Sequence, residues 1–197
     1  MVFRLGLTGS IGMGKTATAR LFAEEDCEVW DADAAVHRAY AEGGAAVEPI
    51  GAAFPEAVEN GAISREALRR IIAHDPDALA RIEAIVHPLV VADRAARADA
   101  AAADVVVFDI PLLFETGAER EMDAVAVVTA PPEEQRRRVL ARGAMSEADF
   151  EGILARQMPD TEKRARADYV IETDTPEHAR EQVRAILADI RRQQTDA

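Results

Sequence analysis

The residues with the clearest chemical meaning form a glycine-rich stretch near the start of the chain. Gly9-Ser10-Ile11-Gly12-Met13-Gly14-Lys15-Thr16 fits the pattern G-x-x-x-x-G-K-[ST] without a mismatch. In this pattern, glycines let backbone N–H groups point at phosphate oxygens, and the start of the following helix adds roughly half a positive charge. Lys15 would reach the β- and γ-phosphates of a nucleotide, and the Thr16 hydroxyl would bind Mg²⁺. We therefore predict a P-loop with Lys15 as a catalytic residue, Thr16 as the metal ligand and an ATP-binding set of Gly9, Gly12, Met13, Gly14, Lys15, Thr16 and Ala17.

Two aspartates follow predicted strands, where ligands of open α/β sheets bind. Asp33 comes shortly after the strand Cys27-Glu28-Val29-Trp30, which we expect to lie next to the P-loop strand. Its carboxylate could accept the proton of an attacking hydroxyl, or it could cap the following helix together with Asp31. Asp109 ends the apolar strand Val105-Val106-Val107-Phe108. It could bind Mg²⁺, contact the acceptor substrate or serve as a turn residue.

Positive charge gathers in the last third of the chain, although the net charge of the whole chain is −13. Five of these arginines fall on two short predicted helices, where they would neutralise charge on a transferring phosphoryl group, although arginine-rich faces are usually solvated. We predict a small helical lid over residues 133–159 that carries Arg138, Arg142 and Arg156. The whole basic cluster comprises Arg136, Arg137, Arg138, Arg142, Arg156, Lys163, Arg164 and Arg166.

The remaining polar residues carry weaker signals. His37 and His87 show no metal-ligand spacing, and phosphoryl transfer needs no acid–base histidine, so we expect both to be structural. Glu115 could pair with an arginine on the surface. Cys27 is the single cysteine, which excludes an internal disulfide and is compatible with a reducing cytosol.

These residues need a framework that a chain of 197 residues can supply as one unit. Predicted strands at residues 2–8, 27–30, 105–108, 124–129 and 169–171 alternate with helices, which indicates an α/β fold with a doubly wound, parallel five-stranded sheet. The core would comprise residues 1–33, 104–132 and 160–197, and residues 34–103 would form an inserted helical domain. Within the insertion we expect a helix that starts at Asp75-Pro76, kinks or breaks at His87-Pro88 and continues to Ala103.

Two further helix signals lie in the last third of the chain. Ser146-Glu147-Ala148-Asp149 resembles a capping box and predicts the start of the second lid helix. Residues 177–193 predict an amphipathic closing helix, with an apolar stripe of Val183, Ile186, Leu187 and Ile190.

Composition excludes several classes of function. No apolar run approaches the roughly 20 residues of a membrane span, and the chain enters a strand at once, so we expect no signal peptide. The net charge of −13 argues against nucleic acid or an anionic membrane as the main partner. We expect a cytoplasmic, monomeric protein whose partners are small molecules.

Taken together, the motifs resemble those of the dephospho-CoA kinase family over nearly the whole chain. The most family-specific run is Asp109-Ile110-Pro111-Leu112-Leu113-Phe114-Glu115. At Glu172-Thr173-Asp174 the chain departs from the family's usual Asp-Asn and glycine-containing turn. The other matching segments are residues 7–16, Asp31-Ala32-Asp33 with His37, Val86-His87-Pro88-Leu89-Val90, Arg142-Gly143 with Met145, Arg156-Gln157 and Ala167-Asp168-Tyr169-Val170-Ile171.

The resemblance implies ATP-dependent phosphorylation of the ribose 3′-hydroxyl of dephospho-CoA, the last step of coenzyme A synthesis, with Mg²⁺ as cofactor. It implies a base role for Asp33 and a transition-state role for Arg142, and it makes the helical insertion the CoA-side domain. The substrate-binding residues on this basis are Thr8, Asp33, His87, Asp109 and Leu113.

Two alternatives remain open. Another small P-loop kinase, acting on a nucleotide, nucleoside or sugar acid, would share the P-loop, the aspartate and the lid, although the run from Asp109 to Glu115 argues against it. A nucleotide-dependent switch is a second alternative. A GTPase would need an N-K-x-D guanine reader, and the only asparagine, Asn60, precedes a glycine.

Overall fold

The computed structural model describes residues 2–143 and 145–196; Ala144, inside the predicted lid, and the terminal residues Met1 and Ala197 lie outside the described residues. The strands are β1 (Phe3–Thr8), β2 (Glu28–Asp31), β3 (Val58–Glu59), β4 (Ala62–Ile63), β5 (Val105–Asp109), β6 (Ala124–Thr129) and β7 (Tyr169–Glu172). The helices are α1 (Lys15–Glu24), α2 (Ala32–Tyr40), α3 (Val47–Ala53), α4 (Arg65–His74), α5 (Ala78–Ala100), α6 (Pro132–Ala141), α7 (Glu147–Leu154), α8 (Asp160–Arg166) and α9 (Pro176–Asp196). None of the helices in this part of the chain has the length and apolar character to cross a membrane.

A five-stranded sheet forms the main framework, with the order β2-β5-β1-β6-β7. The pairs β1–β5, β1–β6 and β6–β7 are parallel. Every residue of β5 and of β6 is buried, as expected for parallel strands that are covered on both faces. This architecture confirms the predicted α/β class and its five strands, whose ends differ from the predicted ones by about one residue.

The predicted neighbour of the P-loop strand is wrong. We expected β2 to lie beside β1, but β5 lies between them. Burial gives the physical reason, because β5 consists wholly of buried residues and needs strands on both sides, whereas only one of the four residues of β2 is buried. The half-buried strand therefore takes the edge of the sheet.

By its contacts the chain divides into two compact units, each with its own core. One unit contains the residues up to Val29 and those from Ala101 onward, and here α1 and α9 cover the sheet. The apolar stripe that we predicted on α9 is buried in this core at Val183, Ile186, Leu187 and Ile190.

The second unit is Trp30–Ala100, and its core is built around Ile50, Phe54 and Ile82. It contains α2 to α5 and the β3–β4 hairpin. We did not predict this hairpin, although Asn60 and Gly61 both have the positive φ that a two-residue hairpin turn requires.

Helix α5 corrects two expectations about the second unit. It begins at Ala78, because the Asp75 side chain accepts a hydrogen bond from the Asp77 N–H and holds residues 75–77 in a turn. It then continues through Pro88 to Ala100 without the predicted break. Side chains on both sides of the proline, including Val86 and Leu89, pack into the same core, so tertiary packing outweighs the lost backbone hydrogen bond.

The predicted lid region contains two helices, α6 and α7, and α8 follows directly. A capping box starts α7, as predicted: the Ser146 hydroxyl accepts from the Asp149 N–H, and the Asp149 carboxylate accepts from the Ser146 N–H. We did not predict α8, whose seven residues, mostly charged, give no apolar periodicity. The division into core, insertion and lid in terms of function stays a prediction.

Candidate active site

The glycine-rich loop joins β1 to α1, and two of its glycines hold it in shape. Gly12 and Gly14 have φ angles of 80° and 92°, a region that side chains with a Cβ rarely adopt. A Cβ at Gly12 would also lie 3.0 Å from the Gln135 carbonyl oxygen, and one at Gly14 would lie 3.1 Å from the Thr173 hydroxyl. The loop therefore needs glycine at both positions for its backbone and for its neighbours.

Met13 anchors the loop to the end of β6. Its side chain is buried, and its sulfur accepts a hydrogen bond from the Ala130 N–H at 3.1 Å. The Thr173 hydroxyl lies 2.8 Å from the Met13 carbonyl oxygen, to which it can donate. The Met13 N–H donates to the Ser10 carbonyl within the loop at 3.1 Å. Thr173, at the position where the chain departs from the family pattern, thus supports the P-loop through its backbone at Met13.

Lys15 and Asp109 form an ion pair at the carboxyl ends of neighbouring strands. The register of β1 and β5 places Leu7 opposite Asp109, so the end of β5 lies level with the start of the P-loop. The Asp109 side chain is only 3 % exposed and that of Lys15 is 17 % exposed. Sequence reasoning placed Lys15 at a phosphate site and left Asp109 open between Mg²⁺, the acceptor and a turn, and the structure brings the two side chains together. Thr16 and Ala17 lie exposed in the first turn of α1.

Two of the predicted substrate-binding residues are fully buried. The Thr8 hydroxyl donates to the Pro111 carbonyl at 3.1 Å, and Leu113 lies within the apolar interior. Leu112, which precedes Leu113 in the family-specific run, is 43 % exposed. Thr8 and Leu113 therefore shape the segment after β5 from within.

Glu115 does not pair with an arginine, as we had expected, but with Lys163 at 2.9 Å. Lys163 is wholly buried and is, besides Lys15, the only lysine in the chain. Burial alone would raise the pKa of the Glu115 carboxyl, but hydrogen bonds from Lys163 and from the Met158 N–H lower it below its ordinary value. This charged pair ties the segment after β5 to α8.

Most of the basic cluster is engaged by acidic neighbours. Arg136, Arg137, Arg138, Lys163, Arg164 and Arg166 each form an ion pair with a carboxylate. Arg138 in addition donates to the hydroxyl of Thr173 at 2.9 Å and to its carbonyl oxygen. Its partner Glu134 is bonded by two arginines, which lower the pKa of that carboxyl to about 2.

Arg142 and Arg156 differ from the other six. Both are exposed, and within residues 2–143 and 145–196 neither side chain has a hydrogen-bond or ion-pair partner. Arg142 lies at the end of α6, and Arg156 lies two residues after the last residue of α7. These two guanidinium groups are available to an anionic ligand.

In the second unit, Asp31 and Asp33 have separate roles. The Asp31 side chain accepts from the Ala34 N–H at 2.8 Å and caps α2. Asp33 lies in the first turn of α2 with an exposed side chain, so it is not needed as the cap. His37 and His87 are exposed on α2 and α5 and have no side-chain partner among the residues described, so neither is the partnered structural histidine that we expected.

The oxygen donors suit a magnesium ion that a nucleotide would bring with it. No three His, Cys, Asp or Glu side chains in the described ranges lie together as a metal site. Mg²⁺ usually binds one or two protein oxygens and completes its shell with phosphates and water. The exposed Thr16 hydroxyl and the Asp109 carboxylate are groups of that kind.

Sequence reasoning gave no role to Gln135, Gln157 and Thr173, which all contact the P-loop. The Gln157 side-chain oxygen accepts from the Ile11 N–H, and the Gln135 amide donates to the Ile11 carbonyl. Gln157 appeared only within the family-matching segment Arg156-Gln157, and no spacing marks Gln135 on its charged helix. Cys27 is buried, and its burial raises the pKa of the thiol to about 11, which disfavours the thiolate that a nucleophilic role near neutral pH would need.

This arrangement of sheet, P-loop and arginine-bearing helices is that of a P-loop kinase. The family model described as dephospho-CoA kinase (CoaE) matches residues 3–178. The chain therefore belongs to the dephospho-CoA kinase family, as the sequence motifs predicted.

Individual relatives agree with the family match. The chain is 65 % identical over 191 residues to the dephospho-CoA kinase of Ruegeria pomeroyi, with 97 % of each chain covered. It is also 65 % identical over 189 residues to that of Cereibacter sphaeroides, with 96 % of each covered. The crystal structure of TT1252 from Thermus thermophilus superposes with a TM-score of 0.83 at 37 % identity, covering 95 % of this chain and 97 % of that one.

Proposed function

We propose that this protein transfers the γ-phosphoryl group of ATP to the ribose 3′-hydroxyl of dephospho-CoA, which yields CoA and ADP. The observation that carries the proposal is its 65 % identity to a dephospho-CoA kinase over 97 % of both chains. The P-loop, with Lys15 beside Asp109, supports it as a site for the phosphate donor. In the reaction, the acceptor oxygen forms a bond to the γ-phosphorus as the bond from that phosphorus to the bridging β,γ-oxygen breaks.

Lys15 and the P-loop backbone hold the phosphates in this proposal. The N–H groups around Gly14 and the start of α1 face the anion, and the Lys15 ammonium contacts the β- and γ-phosphates. Before ATP binds, the ion pair with Asp109 holds the Lys15 ammonium at the carboxyl end of β5. Thr16 and Asp109 are the groups that would hold Mg²⁺, which supplies charge neutralisation at the phosphate oxygens.

Asp33 is the proposed base that receives the proton of the 3′-hydroxyl. Its carboxylate is exposed and is not used to cap α2, a task that Asp31 performs. Arg142 and Arg156 are the proposed lid residues for the transferring phosphoryl group, because their guanidinium groups have no acidic partner among the described residues. Arg138 supports the lid through Thr173.

The acceptor is proposed to contact the segment after β5. Leu112 in that segment has an exposed side chain that could contact a ligand, while Thr8 and Leu113 support the segment from the interior. His87 is exposed on α5 and remains a proposed contact of dephospho-CoA. We also propose that the protein works as a cytoplasmic monomer without nucleic acid or membrane as a partner, since its net charge of −13 repels both polyanions.

Acceptor-dependent release of ADP tests the proposed function. The purified protein is supplied with Mg-ATP and, in turn, with dephospho-CoA, AMP, adenosine or gluconate. We expect turnover with dephospho-CoA alone. Turnover with AMP or the sugar acid would make the acceptor assignment wrong, and no stimulation by any acceptor would favour a nucleotide-binding module instead.

A further inference from the structure

Two glutamines from different segments bind the backbone of Ile11 in the P-loop, one at its N–H and one at its carbonyl oxygen. The Gln157 Oε1 atom accepts a hydrogen bond from the Ile11 N–H at 3.1 Å, and the Gln135 Nε2 atom donates to the Ile11 carbonyl oxygen at 2.7 Å. Gln135 lies on α6, and Gln157 follows α7. Ile11 is therefore held by both of its backbone polar groups.

The chemistry of the backbone fixes which way each side-chain amide points. A peptide N–H can only donate, so Gln157 must present its oxygen to Ile11. A peptide carbonyl can only accept, so Gln135 must present its NH₂ group. The two glutamines are thus not interchangeable: one acts as an acceptor and the other as a donor.

Both glutamines stand on segments that are themselves braced. Gln135 is only 5 % exposed, and one turn further along α6 Arg138 donates to Thr173, which in turn contacts Met13. The residue after Gln157, Met158, donates its N–H to Glu115 at 2.9 Å, and Glu115 pairs with buried Lys163. The two contacts with Ile11 therefore connect the P-loop to fixed parts of the fold.

We propose that Gln157 and Gln135 are positioning residues that hold the P-loop in the shape that receives the γ-phosphate and dock the lid segments onto it. Gln157 in particular sets the position of its neighbour Arg156, one of the two cations of the basic cluster between Arg136 and Arg166 without an acidic partner among the described residues. Neither glutamine takes part in bond making or proton transfer. A displacement of about 1 Å at a phosphoryl-transfer site is costly, because catalysis there depends on positioning and on preorganised charge.

Substitutions at Gln157 separate hydrogen bonding from space filling. Gln157→Met keeps the length of the side chain but replaces the acceptor oxygen with a weakly accepting sulfur. Gln157→Glu keeps an acceptor oxygen and adds a negative charge. With saturating dephospho-CoA, we expect the Met variant to lose at least tenfold in kcat with less than a threefold change in KM for ATP. We expect the Glu variant to keep kcat within threefold and to show a higher KM for ATP, because its charge repels the phosphates.

Gln182 provides a matched control. Its side chain holds Glu172 in the same two-sided way, accepting from the Glu172 N–H at 3.0 Å and donating to the Glu172 carbonyl at 2.9 Å. Gln182→Met removes a comparable pair of hydrogen bonds from β7 instead of from the P-loop. It should leave kcat within twofold of the wild-type value.

The inference rests on the proposed function for its kinetic test, and amide exchange gives a readout that does not need turnover. In ¹⁵N NMR spectra, the Ile11 N–H should exchange at least tenfold faster in Gln157→Met than in the wild type, and at nearly the wild-type rate in Gln157→Glu. If the wild type does not phosphorylate dephospho-CoA, the function fails while Ile11 exchange still decides whether the contact exists.

Three results would overturn the proposal. They are unchanged Ile11 exchange in Gln157→Met, a kcat of Gln157→Met within twofold of wild type, and a kcat of Gln157→Glu as low as that of the Met variant. Gln135→Met should repeat the loss in kcat. Because Gln135 is buried and its replacement can weaken folding, the decision rests on the Gln157 pair.

Discussion

At the scale of single residues, the P-loop site depends on which charges are already neutralised and which are available. Six of the eight basic residues between Arg136 and Arg166 have carboxylate partners, so they stabilise α6, α7 and α8 more than they attract substrate. Arg142 and Arg156 have none in the described part of the chain. Counting arginines in the sequence cannot make this distinction, because it depends on where the carboxylates lie in space.

Asp33 and Asp31 allow the base role to be tested with one chemical change at two neighbouring positions. Asp33→Asn removes the proposed proton acceptor and should lower kcat by about 10²-fold or more, while ATP affinity changes little.

Lys15→Ala should nearly abolish turnover, because it removes the cation proposed to contact the phosphates. Steady-state kinetics and ATP titrations measure both effects.

Asp31→Asn is the control for the Asp33→Asn experiment. Asparagine caps helices about as well as aspartate, so the cap of α2 should survive and turnover should stay near the wild-type rate. Unchanged turnover in Asp33→Asn would remove Asp33 as the base. Equal losses in both variants would indicate a general need for negative charge at the start of α2.

At the scale of secondary-structure elements, α5 shows packing overriding local propensity. Pro88 is exposed in the interior of a 23-residue helix, where proline costs up to about 3 kcal/mol. Pro88→Ala restores the backbone hydrogen bond without leaving a cavity, although it frees the unfolded chain slightly. We expect the free energy of unfolding to rise by about 1–3 kcal/mol, measured by urea denaturation.

Glu83→Ala is a suitable comparison for the proline variant, because Glu83 is exposed on the same helix. Its effect on the free energy of unfolding should stay within about 0.5 kcal/mol. A Pro88→Ala protein that is less stable than wild type would contradict this prediction. It would mean that the packing of α5 requires the helix geometry that Pro88 imposes.

The elements that the sequence predicted well are those with strong local signals. They include the apolar runs of β1, β5 and β6, the capping box at Ser146 and the apolar stripe on α9. Each of these patterns is contained in a short stretch of sequence. Strand order was not predictable in this way. The position of β5 between β1 and β2 depends on how deeply each strand of the sheet is buried, and no short stretch of sequence records that comparison. The same applies to the short, charged helix α8.

The residues of the candidate site also fall into two groups, those that a local sequence pattern predicts and those that it does not. The P-loop residues and Asp109 follow from motif and strand-end position, and the structure joins Lys15 to Asp109 as an ion pair. Gln157, Gln135 and Thr173 contact the P-loop from more than 100 residues away in sequence, and a single chain carries no local mark of such contacts. The Glu115–Lys163 pair was missed for the same reason.

At the scale of the whole molecule, an acidic protein binds two acidic substrates. A net charge of −13 repels ATP and dephospho-CoA at long range, so binding has to come from groups at the site itself. The α1 N-terminus, Lys15, Arg142 and Arg156 are the groups proposed for this role, and at physiological salt charges farther away than about 8 Å are largely screened. The match to the family model covers residues 3–178, which include the P-loop, the unit Trp30–Ala100 and helices α6 to α8.

The central claim is that the P-loop delivers a phosphoryl group to one particular hydroxyl, and the position of the new phosphate tests it most directly. The protein is incubated with Mg-ATP and dephospho-CoA, and ³¹P–¹H correlation spectra of the product locate the new ester, with Lys15→Ala run in parallel to exclude a contaminating kinase. The account predicts one new phosphomonoester coupled to the ribose H3′ for each ADP released by the wild type, and none with Lys15→Ala. A phosphate coupled to H2′ or to the pantetheine arm, or ADP formed without a new ester, would contradict it.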